Sequence, residues 1–336
     1  MGDIAELKAT ARALVAKKKG ILAADESTGT ITKRFEAINA TSTEDNRRDY
    51  REMLFRTEGA NEFISGVILY DETIRQKSAD GTTIVSVLQK AGIIPGIKVD
   101  KGAKHLAGTE NELVTEGLDG LRERFEEYYK IGARFAKWRA VISIGKTTPS
   151  DYCIDINAHA LARYAMLSQE AGLVPIVEPE VLMDGSHSID DCYAASERTL
   201  REVFYQVGKQ GVVLEGCLLK PNMVLSGKEA TKRAAPEEVA EKTIDCLMKT
   251  VPAAIPGIVF LSGGQADEES VVNLNAINLV GAKVGVPWEL SYSYGRGLQA
   301  TPLKIWAGKT ANAPEAQKAF YQRSLVTSQA RMGSYK

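Results

Sequence analysis

The chain has 336 residues, of which 44% are hydrophobic and 25% charged, enough apolar sequence for a large buried core. Its formal net charge of −1 at pH 7 argues against a general nucleic-acid or membrane-surface binder. The four cysteines form no Cys-x-x-Cys pair and show no metal-ligand spacing with histidine, so we expect reduced thiols that mostly pack. Any phosphate or carboxylate ligand must therefore be bound by local basic groups.

The first stretch of the chain predicts an amphipathic helix over about residues 1–18, with Ile4, Leu7 and Leu14 on one side. It contains no apolar run long enough for a secretory signal. No later segment approaches the roughly 20 apolar residues of a membrane span. We therefore expect a cytoplasmic protein that does not insert into a membrane.

Eight short apolar runs follow, and helical apolar spacing fills the stretches between them. The runs are 20–25, 64–70, 93–99, 133–139, 173–180, 211–220, 257–264 and 290–296. This alternation predicts an α/β fold, a (β/α)₈ TIM barrel, formed by one domain over residues 1–336. A C-terminal helix and tail are expected over about residues 311–336. A doubly wound open sheet is the alternative, but no Gly-x-Gly-x-x-Gly follows the first run.

In such barrels the active site lies at the carboxyl ends of the strands, and nearly every predicted strand here ends in an ionisable or phosphate-binding group. Side chains two apart on a strand share a face, so Lys137 and Arg139 point the same way, as do Glu178 and Glu180. If these pairs face the interior, each buried amine has a carboxylate available. Structural salt bridges are the alternative for any single pair.

Lys220 follows an apolar run and precedes a proline, which ends the strand. A lysine in apolar surroundings near a second cation, such as Lys137, more readily loses its proton. A neutral amine attacks a ketone or aldehyde to give a Schiff base. The residues alone leave two roles open for Lys220, this one and that of a lysine that extends to solvent.

Two glycine loops, residues 261–265 and 293–297, follow the last two predicted strands, where barrels often bind phosphate. Their glycines give an anion access to backbone N–H groups, while Ser262 adds a hydroxyl and Arg296 a guanidinium. Across the barrel, Ser27 and Thr30 with Lys98 form a second candidate anion site. Two such sites on either side of one lysine suit a substrate phosphorylated at both ends.

Seven ordered motifs together resemble class I fructose-1,6-bisphosphate aldolase over about residues 18–310. They are "GILAADESTGT", "GIKVDKG", "ARFAKWR", "VPIVEPE", "LEGCLLKPNM", "FLSGGQ" and "SYGRGLQ". The resemblance implies a barrel enzyme that reversibly cleaves fructose 1,6-bisphosphate to dihydroxyacetone phosphate and glyceraldehyde 3-phosphate, in glycolysis and gluconeogenesis. It also implies that no cofactor or metal is needed, because the protonated imine accepts the electrons of the broken bond.

The resemblance implies a role for each candidate residue. Lys220 stands where the Schiff-base lysine stands, Asp25 matches the carboxylate linked to proton removal from the C4 hydroxyl, and Glu178 matches the general acid/base. Glu180 matches the second carboxylate, and Lys137 the assisting cation. The C1-phosphate side is matched by Ser262, Gly263, Gly295 and Arg296, with Arg34 as a helping arginine. The C6-phosphate side is matched by Ser27, Thr30, Lys98 and Arg139.

The histidines and the family likeness also bear on function. The three histidines form no His-x-His or HExxH pattern, which argues against a zinc-dependent aldolase. Family likeness implies a homotetramer that acts on sugar phosphates and does not bind nucleic acid.

Two alternatives to this function are another Schiff-base sugar-phosphate lyase, or an aldolase-like scaffold that binds filaments or membrane-protein tails. Many animal and plant members of the family carry a terminal tyrosine tail, whereas the sequence here ends in "MGSYK", and we do not expect Tyr335 to act as that tyrosine.

Overall fold

The computed structural model describes residues 2–336, and its central element is a closed barrel of eight parallel strands. In chain order the strands are β1 (Gly20–Ala24), β2 (Ile64–Leu69), β3 (Ile94–Lys98), β4 (Phe135–Ile142), β5 (Val174–Val181), β6 (Leu218–Leu219), β7 (Gly257–Phe260) and β8 (Glu289–Tyr294). Each strand pairs with its neighbour in sequence, and β1 pairs with β8. The predicted barrel is therefore confirmed, and the open doubly wound sheet is excluded.

Twelve α-helices are present in the described chain. They are α1 (Ile4–Leu14), α2 (Thr28–Glu36), α3 (Glu44–Phe55), α4 (Asp71–Arg75), α5 (Ile84–Lys90), α6 (Leu121–Ile131), α7 (Asp151–Glu170), α8 (Ile189–Lys209), α9 (Pro236–Thr250), α10 (Asp267–Val284), α11 (Arg296–Trp306) and α12 (Ala313–Arg331). Their starts follow local chemistry: Ser150 caps α7 by accepting from the Cys153 N–H, and Ser188 forms a capping box on α8. The first helix is shorter than predicted, whereas the C-terminal helix covers most of its predicted stretch.

The sixth run of the sequence forms less strand than predicted. Residues Leu214–Gly216 form a 3₁₀ turn, and only Leu218–Leu219 pair as β6. The prediction of one continuous strand over 211–220 is wrong at its beginning, because apolar burial looks the same in a buried turn and in a strand. A short antiparallel hairpin, Ala103–His105 with Leu113–Thr115, also lies between β3 and α6 and was not predicted.

The barrel interior is filled by apolar side chains up to the level of the site. Ile21, Ile68, Phe135, Ile176 and Val259 belong to one buried cluster. Residue 96 must be small, because a Cβ there would lie 2.3 Å from the Phe135 ring. Leu7 and Leu14 of α1 join the same cluster, so α1 covers the amino-terminal end of the barrel, which we call the floor. The opposite end, at the carboxyl ends of the strands, is called the mouth.

No helix among residues 2–336 is both long enough and apolar enough to cross a bilayer.

Candidate active site

Four charged side chains meet at the mouth of the barrel. Lys137 Nζ lies 2.7 Å from Asp25 Oδ2 and 3.0 Å from Glu178 Oε2, and Lys220 Nζ lies 3.1 Å from Glu178 Oε1. The side chains of Lys137, Glu178 and Lys220 are all at most 5% exposed. Glu178 thus bridges two lysines, and Lys137 bridges two carboxylates. We call these four residues the central cluster.

The cluster is assembled from four different strands. Asp25 follows β1, Lys137 lies in β4, Glu178 lies in β5 and Lys220 follows β6. Parity gives the inward direction, since Trp138, the neighbour of Lys137, stacks instead on Tyr164 of α7 outside the barrel. The backbone N–H of Lys220 donates to Val177 O at 2.8 Å, which keeps Lys220 at the height of Glu178 although β6 is short.

The charges of the cluster set the protonation of its members. Burial alone would raise the pKa of Asp25 and of Glu178, but Lys137 and Lys220 outweigh it and hold both pKa values below their ordinary range. Burial would likewise lower the pKa of Lys137, but the charges of Asp25 and Glu178 raise it instead. Both carboxylates are therefore ionised at neutral pH, and Lys137 is a permanent cation. All three pKa shifts stabilise the charged form of the side chain, because each charge lies beside one of opposite sign.

The loops after β7 and β8 come together on one side of the cluster. The Arg296 guanidinium donates to the carbonyl of Gly263, which joins the two loops, and Ser262 beside it is buried. Gly263 has a φ of +54°, which a glycine adopts without strain. Gly295 precedes α11 and is close-packed, since a Cβ there would lie 3.3 Å from the Ala23 carbonyl oxygen. The four residues predicted for one phosphate are thus neighbours.

On the other side, Asp100 organises two of the predicted cations. Lys98 Nζ lies 2.8 Å from Asp100 Oδ1, and the backbone N–H of Arg139 donates to Asp100 Oδ2 at 3.2 Å. The Arg139 side chain pairs with Glu180, and the charge of Glu180 outweighs burial and raises the pKa of Arg139. Asp100 itself is buried, which strengthens both contacts.

Not all the residues predicted to bind phosphate contact one another in the structure. Ser27 Oγ caps α2, accepting from the Thr30 N–H at 3.4 Å and lying 3.1 Å from Thr30 Oγ1. Within residues 2–336, no hydrogen bond or ion pair links this pair to Lys98 or Arg139. Arg34 forms an ion pair with the buried carboxylate of Glu26.

The sequence analysis assigned no role to Glu26 or Asp100, which follow the first and third strands of the barrel. It missed Arg51 altogether, because its pattern is that of an exposed helix residue, whereas the structure buries it beside Glu26. It also missed Asn222, whose Oδ1 accepts from the Val181 N–H at 3.0 Å and so fixes the end of β5. No signal in the sequence marks Arg51, since only packing determines that this face of α3 is inward.

Comparison with known proteins agrees with this geometry. The family profile for class-I fructose-bisphosphate aldolase matches residues 6–336. The chain belongs to the class I fructose-bisphosphate aldolases. A probable class 1 aldolase from Xanthomonas campestris pv. campestris is 56% identical over 335 residues, covering 99% of each chain. The cytosolic fructose-bisphosphate aldolase 4 of Arabidopsis thaliana is 54% identical over 98% of this chain and 84% of its own length.

A solved structure shares the fold in full. The fructose-bisphosphate aldolase of Plasmodium falciparum, in complex with TRAP and a small-molecule inhibitor, superposes with a TM-score of 0.97 at 50% identity, over 99% of this chain and 95% of its own. Membership of the aldolases confirms the predicted enzyme class and the reversible aldol cleavage of fructose 1,6-bisphosphate. The alternatives of another Schiff-base lyase or of a scaffold without catalysis are not favoured.

Proposed function

We propose that this aldolase works through a Schiff base on Lys220, with the central cluster moving the protons. The observation that carries the proposal is the bridging position of Glu178, 3.1 Å from the Lys220 amine and 3.0 Å from Lys137. Lys220 gives a proton to Glu178 and attacks the C2 ketone as a neutral amine. Lys137 stays charged, because the carboxylates on both sides raise its pKa.

Each later step has a group at hand. The carbinolamine formed on Lys220 loses water when Glu178 returns its proton to the departing hydroxyl. Asp25, held ionised by Lys137, then takes the proton of the C4 hydroxyl as the C3–C4 bond breaks. The bonding electrons move into the protonated imine and leave an enamine, while C4 becomes the aldehyde of glyceraldehyde 3-phosphate. Asp25 then releases the proton it took up, and C3 of the enamine gains one in exchange through water. Hydrolysis of the resulting imine releases dihydroxyacetone phosphate and restores Lys220.

We also propose that the two ends of the substrate are bound on opposite sides of the cluster. The paired loops with Ser262, Gly263, Gly295 and Arg296 supply backbone and side-chain donors for the C1 phosphate. For the C6 phosphate, the cations fixed by Asp100 and Glu180 support a site of Lys98 and Arg139, with Ser27 and Thr30. Arg34 must leave or share its ion pair with Glu26 to assist the C1 side.

Trapping the imine tests the mechanism. Borohydride added with dihydroxyacetone phosphate reduces a Schiff base to a stable amine, and peptide mapping then locates the label. We expect the label on Lys220 and almost no cleavage by Lys220→Ala, because no other nucleophile can replace this amine. Lys228→Ala, which removes an exposed lysine of the same loop, serves as the matched control and should be labelled like the wild type. Label only on Lys137, or full activity in Lys220→Ala, would refute the mechanism.

The Plasmodium falciparum relative favours a second function. That aldolase is seen in complex with TRAP, and the mouth of this barrel carries the exposed Arg296 and the partly exposed Arg139. We propose that this chain also binds a protein tail at its basic mouth. Isothermal titration with such a tail should show binding that a sugar phosphate displaces. Binding unaffected by saturating sugar phosphate would contradict a shared site.

We further propose a cytoplasmic homotetramer. Its curated relatives from Arabidopsis thaliana are named cytosolic, and four copies is the assembly implied by family likeness. Light scattering on the eluted protein should give about four times the 36.5 kDa chain mass. A single-chain mass at assay concentration would reject the assembly.

A further inference from the structure

Arg51 is a fully buried charge that touches the segment bearing Asp25. It lies in α3 and is 1% exposed. Its Nη2 donates to the Glu26 carbonyl at 2.6 Å, and its Nη1 donates to Thr73 Oγ1 at 2.7 Å. The Glu26 carbonyl belongs to the residue directly after Asp25. A charged donor therefore fixes the backbone at the point where β1 has ended.

Gln299 of α11 binds the same segment from the other side. Its Nε2 donates to the Ala23 carbonyl at 2.8 Å and to Glu26 Oε1 at 2.9 Å. Its Oε1 accepts from the Tyr50 hydroxyl at 3.2 Å, which sets the orientation of the amide. Residues 23–26 are thus held before Asp25 by Gln299 and after it by Arg51.

The Glu26 carboxylate completes the network. It is buried, and Oε1 accepts from both Gln299 and Arg34. Oε2 has no hydrogen-bond donor and lies 3.7 Å from Arg51 Nη2. Because a buried carboxylate needs a nearby positive charge, Arg51 balances Glu26 even when Arg34 turns towards a ligand.

We infer that Arg51 and Gln299 are positioning residues that hold Asp25 in its reactive place from opposite sides. The inference rests on the role proposed above for Asp25. Arg51 does not reach the reacting atoms and acts only through the 23–26 segment. Because an apolar side chain of similar volume is often at least as stabilising as a buried ion pair, the buried charge is better explained by the geometry it imposes than by stability.

The effect should be large because Asp25 works at close range. Its Oδ2 lies 2.7 Å from Lys137 Nζ, and proton transfer from a substrate hydroxyl needs a similar distance. A misplacement of about 1 Å can cost a hundredfold in rate. We therefore expect Arg51→Met and Gln299→Leu each to lower kcat about tenfold to hundredfold with little change in KM.

The experiment compares these variants with Arg331→Met. Arg331 is also a buried arginine that donates to a carbonyl, that of Val15 at 2.6 Å, but it lies at the floor. Arg331→Met should lower the melting temperature and leave kcat unchanged. Borohydride trapping by dihydroxyacetone phosphate should remain at wild-type yield in Arg51→Met and Gln299→Leu, because imine formation does not use Asp25.

Two further readouts separate positioning from a general loss of structure. The acid limb of the kcat–pH profile should move to higher pH in both variants, because Asp25 loses part of its contact with Lys137. The double variant should lose less than the product of the two single losses, since both act on one segment. If Arg51→Met does not fold, Arg51→Lys with Gln299→Leu provides the same comparison.

A kcat of Arg51→Met and Gln299→Leu within twofold of the wild type, with only the melting temperature lowered, would overturn the inference. Failure of the proposed mechanism would look different, because the wild type itself would then trap no imine on Lys220.

Discussion

At the floor of the barrel, polar side chains donate to the carbonyls of one segment, residues 14–20. Ser65 donates to the Gly20 carbonyl, Ser291 to that of Lys19, Ser328 to that of Lys18 and Arg331 to that of Val15. At the mouth, Lys137 and Lys220 instead contact the carboxylates of Asp25 and Glu178. The donors of the floor meet neutral carbonyls, and the carboxylate that Arg331 also contacts, that of Glu289, is 40% exposed. At the mouth, by contrast, the paired side chains of Lys137, Glu178 and Lys220 are at most 5% exposed.

This difference separates stability from chemistry. A hydrogen bond to a carbonyl contributes about 1 kcal/mol and has no other requirement than a partner. A buried ion pair gains little, because its desolvation offsets the attraction, and breaking it leaves an unpaired buried charge. Four buried or nearly buried charges at one end of a barrel are therefore poor evidence for stabilisation and good evidence for proton transfer.

The largest expected contrast comes from the same change made at both ends. Glu178→Gln at the mouth should lower kcat about a hundredfold to ten-thousandfold, since it removes the group that we propose moves protons to and from the imine. Glu289→Gln at the floor, where Glu289 pairs with Arg331 at 3.1 Å, should alter stability and leave kcat unchanged. Steady-state kinetics measures kcat of both variants, and thermal unfolding followed by circular dichroism measures their stability. A similar loss of kcat in both variants would contradict the assignment of chemistry to the mouth and stability to the floor.

Within the mouth, substitution of two arginines should show which phosphate of the substrate each of them binds. With Arg296 on the C1 phosphate, as proposed above, Arg296→Ala should remove a charge-assisted hydrogen bond to that phosphate worth about 1.5–3 kcal/mol and lower kcat/KM roughly tenfold to hundredfold. Fructose 1-phosphate, which keeps the C1 phosphate, should suffer as much as the bisphosphate. Arg139→Ala, the matched variant, should weaken the bisphosphate and spare fructose 1-phosphate.

Catalytic efficiency for both substrates in both variants tests this pattern. The reverse pattern would mean that Arg296 binds the C6 phosphate and Arg139 the C1 phosphate. Wild-type efficiency of Arg296→Ala on both substrates would mean that Arg296 binds neither phosphate and has a structural role.

A smaller effect concerns acid stability. Because the pKa of Asp25 is below its ordinary value of 3.8, its stabilising contribution is complete above that value and is lost as the pH falls towards the folded-state pKa. The free energy of unfolding of Asp25→Asn should therefore fall less steeply than that of the wild type between about pH 4 and pH 2. Urea unfolding at several pH values measures both slopes, and parallel curves would mean that Asp25 is not held ionised by its lysines.

The smallest expected effect is that of a chelator. Residues 2–336 contain no group of three or more His, Cys, Asp or Glu side chains placed to hold a metal ion, so we expect activity to be unchanged in EDTA. Loss of activity in EDTA that zinc restores would mean that a metal, and not the imine, stabilises the negative charge that develops when the C3–C4 bond breaks.

The barrel can be predicted from the sequence, because each strand is a short apolar run and the helices between them have their own apolar spacing and caps. The sequence also predicts that Lys137 shares a face with Arg139 and Glu178 with Glu180, since parity along a strand is a local property. It leaves open whether that face points into the barrel, which is visible only in the structure. It could not give the length of β6, where burial hides the difference between a turn and a strand.

The network of hydrogen bonds around Asp25 could not be predicted, because it depends on contacts between residues far apart in the chain. Arg51 is 25 residues from Glu26 in the chain, and Gln299 is 273 residues from it. No local pattern marks either side chain as buried beside Asp25. Only closure of the barrel brings α3 and α11 to the end of β1, because contacts between distant residues depend on how the strands pair and not on any periodicity within one of them.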